Sequence, residues 1–142
     1  SNCKLIKFPL IWVIHPRTEN KLKEFNLWDL MLMNNQIIML NPLRYHDMLK
    51  LNLESKVMFT DSGGLQEECM ILGTPCVTLR WNTERPVTLL ENGGVSILVG
   101  NNAKTIENGF SKVIDLNIDV DRPKYWDGQA AARCLKWILN YK

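Results

Sequence analysis

Five short, almost wholly apolar runs recur along the chain, and their alternation with stretches of helical periodicity constrains the fold more than any other feature. The runs are Leu10 to Ile14, Ile37 to Leu40, Val57 to Thr60, Pro75 to Leu79 and Ser96 to Val99. Runs this short, lacking polar alternation and bounded by turn residues, predict strands of a parallel sheet covered on both faces. Between them, Tyr45, Met48, Leu49 and Leu53 fall at helical spacing, and a further helix is expected from Leu65 to a cap at Gly73. Val87 to Glu91 predicts a short helix after Pro86, and Thr105 to Leu116 a longer one. Glu19 to Asp29 reads as weak helix or loop, and Asp119 to Asp127 as irregular. The segment from Gly128 to Tyr141 predicts a closing helix with Ala131, Cys134, Leu135, Ile138 and Tyr141 along one core-facing stripe. Right-handed crossovers turn such a sequence into a doubly wound, Rossmann-like α/β domain.

The chain has 142 residues, enough for one domain spanning 1–142, and its apolar share of 46% and charged share of 23% are ordinary for a globular fold. A net charge of +2 without a basic run argues against nucleic acid and membrane surfaces as partners. No apolar stretch approaches the roughly 20 residues of a membrane span. Lys4, Lys7 and Pro9 interrupt any signal-peptide core, Ser1-Asn2 resembles a vector remnant, and the chain starts just before a strand, as an excised domain does. Cys3, Cys69, Cys76 and Cys134 form no CxxC pair and have no His at zinc spacing, so reduced thiols in a cytoplasmic protein are expected, with no metal and no cofactor.

In a doubly wound sheet, ligands sit beyond the carboxyl ends of the strands. The segment Thr60-Asp61-Ser62-Gly63-Gly64-Leu65-Gln66-Glu67-Glu68 occupies such a place. Gly63 and Gly64 let the backbone turn sharply and let a ligand approach the amides, while the free N–H groups of the first helical turn favour an anion. Ser62 fits two roles, a helix cap and a phosphate ligand. With Leu65, Cys69 and Leu72 facing the core, Glu67 points to solvent and Glu68 to the edge of the buried face. Glu68 there suits a ribose, or simply a solvated acid at the helix start. In Arg80-Trp81-Asn82-Thr83-Glu84-Arg85-Pro86, Arg85 or Arg80 can reach a diphosphate. Glu84 either orients Arg85 or is a helix-start acid. His15, ending the first strand before Pro16-Arg17, suits a phosphate contact, a proton carrier or a structural hydrogen bond. Asn41-Pro42-Leu43 offers backbone groups to a flat base, and His46, Trp81 and Trp126 read as packing.

At these residues the sequence resembles the non-hydrolysing UDP-N-acetylglucosamine 2-epimerases. The match is carried by the Thr60 to Glu68 loop, Gly73-Thr74-Pro75, Asn82-Thr83-Glu84-Arg85-Pro86 and Val99-Gly100, by His15-Pro16-Arg17 and Asn41-Pro42-Leu43 upstream, and by Asp127-Gly128-Gln129-Ala130 downstream. The resemblance implies the C-terminal half of a glycosyltransferase-B-type architecture, which in that family holds the nucleotide of a UDP-sugar. By it, Ser62, Gly63 and Gly64 bind the diphosphate, Glu68 the ribose, and Arg85 and His15 lie near the phosphates. The family's reaction inverts C2 of UDP-GlcNAc to give UDP-ManNAc by elimination and re-addition of UDP, in an enzyme expected to be a homodimer. The N-terminal domain with its acids and bases, and a His-Arg-Arg-Glu-Asn-like segment before the first strand, have no counterpart here. His15 is therefore the one possible catalytic base, and the chain alone is expected to be inactive. The rival readings are a stand-alone or subunit nucleotide-sugar binding module and a glycosyltransferase donor domain. Trp137 beside the closing helix's stripe gives it a wider apolar face than one sheet needs, a face able to pack against the missing domain.

Overall fold

The computed structural model describes residues 8–118 and 121–141; Ser1-Asn2, Cys3, Lys4 and Lys7 of the sequence reading, and part of its irregular 119–127 segment, lie outside them. The order is β1 (Leu10–Val13), α1 (Pro16–Glu24), α2 (Trp28–Leu32), β2 (Ile37–Leu40), α3 (Tyr45–Glu54), β3 (Met58–Thr60), α4 (Gly63–Leu72), β4 (Cys76–Thr78), two 3-10 turns (Pro86–Thr88 and Leu90–Asn92), β5 (Ser96–Leu98), α5 (Ala103–Val113) and α6 (Ala130–Asn140). All pairings are parallel: β1 with β2 in register Leu10 to Ile37, and β3-β4-β5 in that order, with Met58 beside Cys76 beside Ser96. The parallel α/β class predicted from the apolar runs is the observed one.

The period of two along β3, β4 and β5 sorts side chains onto two faces. Met58 and Cys76 face α4, whose Cys69 and Met70 complete one core cluster with Val95. Val77, with the half-buried Phe59 and Ile97, faces α5 and its Phe110 and Val113. Phe59 and Phe110 stack with ring centroids 5.8 Å apart, and Phe8 meets Phe110 edge-on at 6.1 Å. The three-stranded sheet is thus covered twice, as expected of a doubly wound unit. Ile106, Phe110 and Val113 recur at helical spacing to make the inner stripe of α5; Asn102 caps that helix through a 2.9 Å bond from the Lys104 amide, so it begins at Ala103, two residues before the predicted start.

Differences from the sequence reading have local causes. The 19–29 region, read as weak helix or loop, is the end of α1 and the start of α2 joined by a turn at 25–27; His15 caps α1, Pro16 occupies its first turn, and Glu19 pairs with Lys23 at 2.6 Å. The expected Val87 to Glu91 helix is two 3-10 turns, because Leu89 is extended and bridges Ser96. Strand β1 is not buried on both faces: Leu10 is 41% and Ile11 42% exposed, and only beyond the strand does Ile14 become buried. Nor is the stripe of α6 a core stripe, since Leu135, Ile138 and Tyr141 are all exposed. That helix is anchored at its start instead, where Arg133 grips the Asp127 carboxylate at 2.8 Å and donates to the Tyr125 carbonyl at 2.9 Å. Its apolar face lacks a covering element among the described residues.

Candidate functional site

Strands β3 and β4 deliver two segments to one edge of the sheet: the start of α4, and the loop 79–85. Ser62 caps α4, its hydroxyl accepting the Leu65 amide at 3.4 Å, while its own amide donates to Thr60 Oγ1 at 3.0 Å. The helix therefore begins at Gly63, two residues before the predicted Leu65. The glycines are not the sharp turn expected of them; they form the first helical turn, and neither has a positive φ. The bend itself is made by extended Ser62. Gly63 serves close approach: a Cβ there would lie 3.0 Å from Glu84 Oε1 and 3.9 Å from Arg85 Cγ. The Leu65 and Gln66 amides are already engaged by Ser62, so the Gly63 and Gly64 N–H groups are the ones this turn presents outward. The helix dipole adds about 0.3–1 kcal/mol toward a bound anion there.

The loop is fastened to α4 by a chain of polar contacts. Gln66, fully buried, accepts the Thr83 hydroxyl at 2.9 Å, and Thr83 Oγ1 accepts the Arg85 amide at 3.0 Å. Arg85 Nε lies 2.7 Å from Glu67 Oε1, an ion pair without hydrogen-bond alignment at that nitrogen. Glu67, expected to point into solvent, keeps 39% of its side chain exposed but is also engaged by Arg85. It does lie away from the sheet, but the 79–85 loop folds over that side of the helix. Glu84 does not orient Arg85 through its carboxylate; it pairs with Arg80 at 3.0 Å. Its carboxyl is held below the usual range by its own backbone amide and by Arg80. Gln66 was missed by sequence reasoning, although a polar residue three before Cys69 and four before Met70, on a core-facing stripe, is the signal of a buried tether.

One turn into α4, Glu68 is half-buried, and its Oε2 is shielded from solvent without a hydrogen-bond donor. Burial pushes its carboxyl pKa up. It lines an open groove of ≈ 540 Å³ with Gly64, Glu67, Tyr45, Ile71 and Trp126, so the groove is continuous with the first turn of the helix. A carboxylate in that position can accept hydroxyl donors that the protein does not supply.

Ser62, Gly63, Gly64, Glu68 and Arg85 are thus brought together. His15 ends β1 and is exposed; its Nδ1 accepts the Arg17 amide at 3.2 Å, and no hydrogen bond joins it to that group among the described residues. Asn41-Pro42-Leu43 follows β2 without regular structure. Trp126 packs against the α4-side core, His46 sits edge-on to Tyr45 at 5.8 Å, and Trp81 is mostly exposed. No group of three or more metal-ligating side chains occurs among the described residues.

Residues 3–139 match the family model described as UDP-N-acetylglucosamine 2-epimerase. The chain belongs to that family. It is 43% identical over 94% of its length to the UDP-N-acetylglucosamine 2-epimerase of Methanococcus maripaludis, of which it covers 36%. The crystal structure of the Methanocaldococcus jannaschii UDP-GlcNAc 2-epimerase in complex with UDP-GlcNAc and UDP superposes with a TM-score of 0.86 at 38% identity, over 98% of this chain and 37% of that one. A Pseudomonas aeruginosa UDP-2,3-diacetamido-2,3-dideoxy-D-glucuronate 2-epimerase is 30% identical over 93% of this chain and 35% of its own. The chain therefore spans about a third of the length of the relatives it matches, and corresponds to their C-terminal part. No described helix is long and apolar enough to cross a membrane.

Proposed function

We propose that this chain is the nucleotide-holding domain of a UDP-N-acetylglucosamine 2-epimerase and binds the UDP portion of a UDP-sugar. The Gly63 and Gly64 amides and the Ser62 hydroxyl take the diphosphate, Arg85 reaches it with its guanidinium, and Glu68 accepts the ribose hydroxyls. His15, whose Nδ1 is used in capping α1, offers Nε2 to a phosphate oxygen or to a proton transfer. In the reaction so assigned, UDP leaves by elimination to a 2-acetamidoglucal and returns to give the C2 epimer. The amides at the start of α4 stabilise the charge developing on the departing diphosphate. Acids and bases acting on the sugar come from the rest of a longer enzyme, which is cytoplasmic and homodimeric, and the isolated chain is inactive as an epimerase. Relatives named for two different sugars support an assignment anchored on the UDP, the part this domain contacts.

The observation that carries this reading is the juxtaposition of outward-facing helix-start amides with a half-buried carboxylate oxygen that has no donor. Calorimetry with UDP tests it. Ser62→Ala and Glu68→Ala are each expected to weaken binding by about tenfold, the scale of losing a hydrogen bond to a charged group. Three superimposable titrations, wild type included, refute the site.

A further inference from the structure

Arg85 is a long side chain in a loop, and such a residue ordinarily samples many rotamers and binds an anion weakly for that reason. Here much of that freedom is removed by contacts to α4 and by a 3.4 Å bond from Nη1 to the Glu84 carbonyl. Its backbone amide is tied through Thr83 to the fully buried Gln66. Its stem passes against Gly63, where a Cβ would come within 3.9 Å of Cγ. Its Nε is screened from solvent and lies 2.7 Å from Glu67. Gly63 and Glu67 stand four residues apart, on one face of α4, so the Arg85 side chain runs along the first turn from one to the other.

We propose that Glu67 is a positioning residue for the diphosphate: by holding Nε of Arg85, while the Glu84 carbonyl accepts from Nη1 at 3.4 Å, it fixes the guanidinium beside α4 and leaves Nη2 for a phosphate oxygen. This rests on the diphosphate reading above. A planar guanidinium has two usable edges, and fixing one decides which remains for a phosphate. Glu67 and Arg85 are each more than a third exposed, so the ion pair contributes little to stability, and its value lies in orientation. Glu84, the acid next to Arg85 in sequence, contributes only its backbone carbonyl, to Nη1, because Arg80 holds its carboxylate.

A double-mutant cycle read by UDP affinity tests this. Arg85→Met keeps the apolar stem along Gly63 and removes the fork. Glu67→Ala is expected to raise the Kd for UDP about tenfold in the wild-type background and by less than about twofold beside Arg85→Met, because coupled residues are not additive. Glu67→Gln, which keeps an acceptor of the same shape, recovers part of the loss and carries the cycle where the alanine variant fails to fold. Equal losses in both backgrounds, or tighter binding on removing Glu67 as expected of a competitor for Arg85, overturn the positioning role. No UDP binding by the wild-type chain overturns the diphosphate reading itself, and the two failures are thereby told apart.

Discussion

Val77 in β4 and Leu10 in β1 belong to parallel strands of similar length and apolarity, yet Val77 is completely shielded from water and Leu10 is 41% exposed. The contrast extends to whole regions. Around β3, β4 and β5, each face of the sheet has its helix, and the buried residues of both core clusters lie there. Around β1 and β2, and along α6, large apolar side chains face outward: Ile11, Ile38, Leu30, Leu135, Trp137 and Ile138. The first region stabilises itself and positions the candidate site. The second has the composition of an interior and the exposure of a surface, which is how an element looks when its covering partner lies outside the residues described. The chain spans about a third of its relatives' length, and the rest of those relatives is where an element able to cover these faces is to be sought.

The largest effect separating the two regions is on stability. Phe110→Ala removes a buried ring that stacks on Phe59 and is expected to cost about 3–5 kcal/mol. Ile11→Ala, at a position 42% exposed, is expected to cost no more than about 1 kcal/mol. Urea midpoints measure both. Comparable losses would show that β1 is packed as tightly as β4 and would erase the distinction.

A smaller effect probes what covers α6. Trp137 is 72% exposed, so its emission, taken as the difference between the chain and Trp137→Phe, is expected to be quenched readily by acrylamide. On the proposed reading, an N-terminal domain docked on this face is expected to protect it. An indole inaccessible to quencher in the 142-residue chain removes the argument that this face awaits a partner.

The same contrast explains what could be read from the sequence. Apolar runs and helical periodicity report that a face is to be buried, not by which element, so β1 and the α6 stripe are indistinguishable by pattern from true core. The strand-to-helix turn at Ser62 was legible because capping is local: a hydroxyl and the amide three residues on decide it. The role of Glu67 was not. Its direction away from the sheet follows from the helix repeat, but the partner it meets arrives from a loop that starts near Arg80, and no short-range rule places that loop. Gly63 and Gly64 misled for a related reason. Their low helix propensity argues for a turn, but both lie in the first helical turn, and at Gly63 the absent Cβ leaves the space that Glu84 and Arg85 occupy.

The finest test concerns a buried carboxylate oxygen that the well-packed region leaves without a partner. Burial raises the Glu68 carboxyl pKa, so the folded chain retains that proton to higher pH than the unfolded chain does. Its contribution to stability is therefore favourable at low pH and declines as pH rises through the window between the unfolded and folded values. Glu68→Gln keeps the shape and discards the charge, so it is expected to remove this decline and to leave the ligand-free chain slightly more stable at neutral pH. Binding carries the opposite sign. Ribose hydroxyls donate to the carboxylate and favour its charged form, so UDP affinity of the wild type is expected to rise with pH through the Glu68 transition and then level off, while Glu68→Gln binds more weakly with a flatter profile. A variant that loses stability at pH 7, or a wild-type affinity with the same slope as the variant's, would mean that the buried oxygen already has its donor inside the protein, and that α4 is as self-sufficient at Glu68 as it is at Cys69.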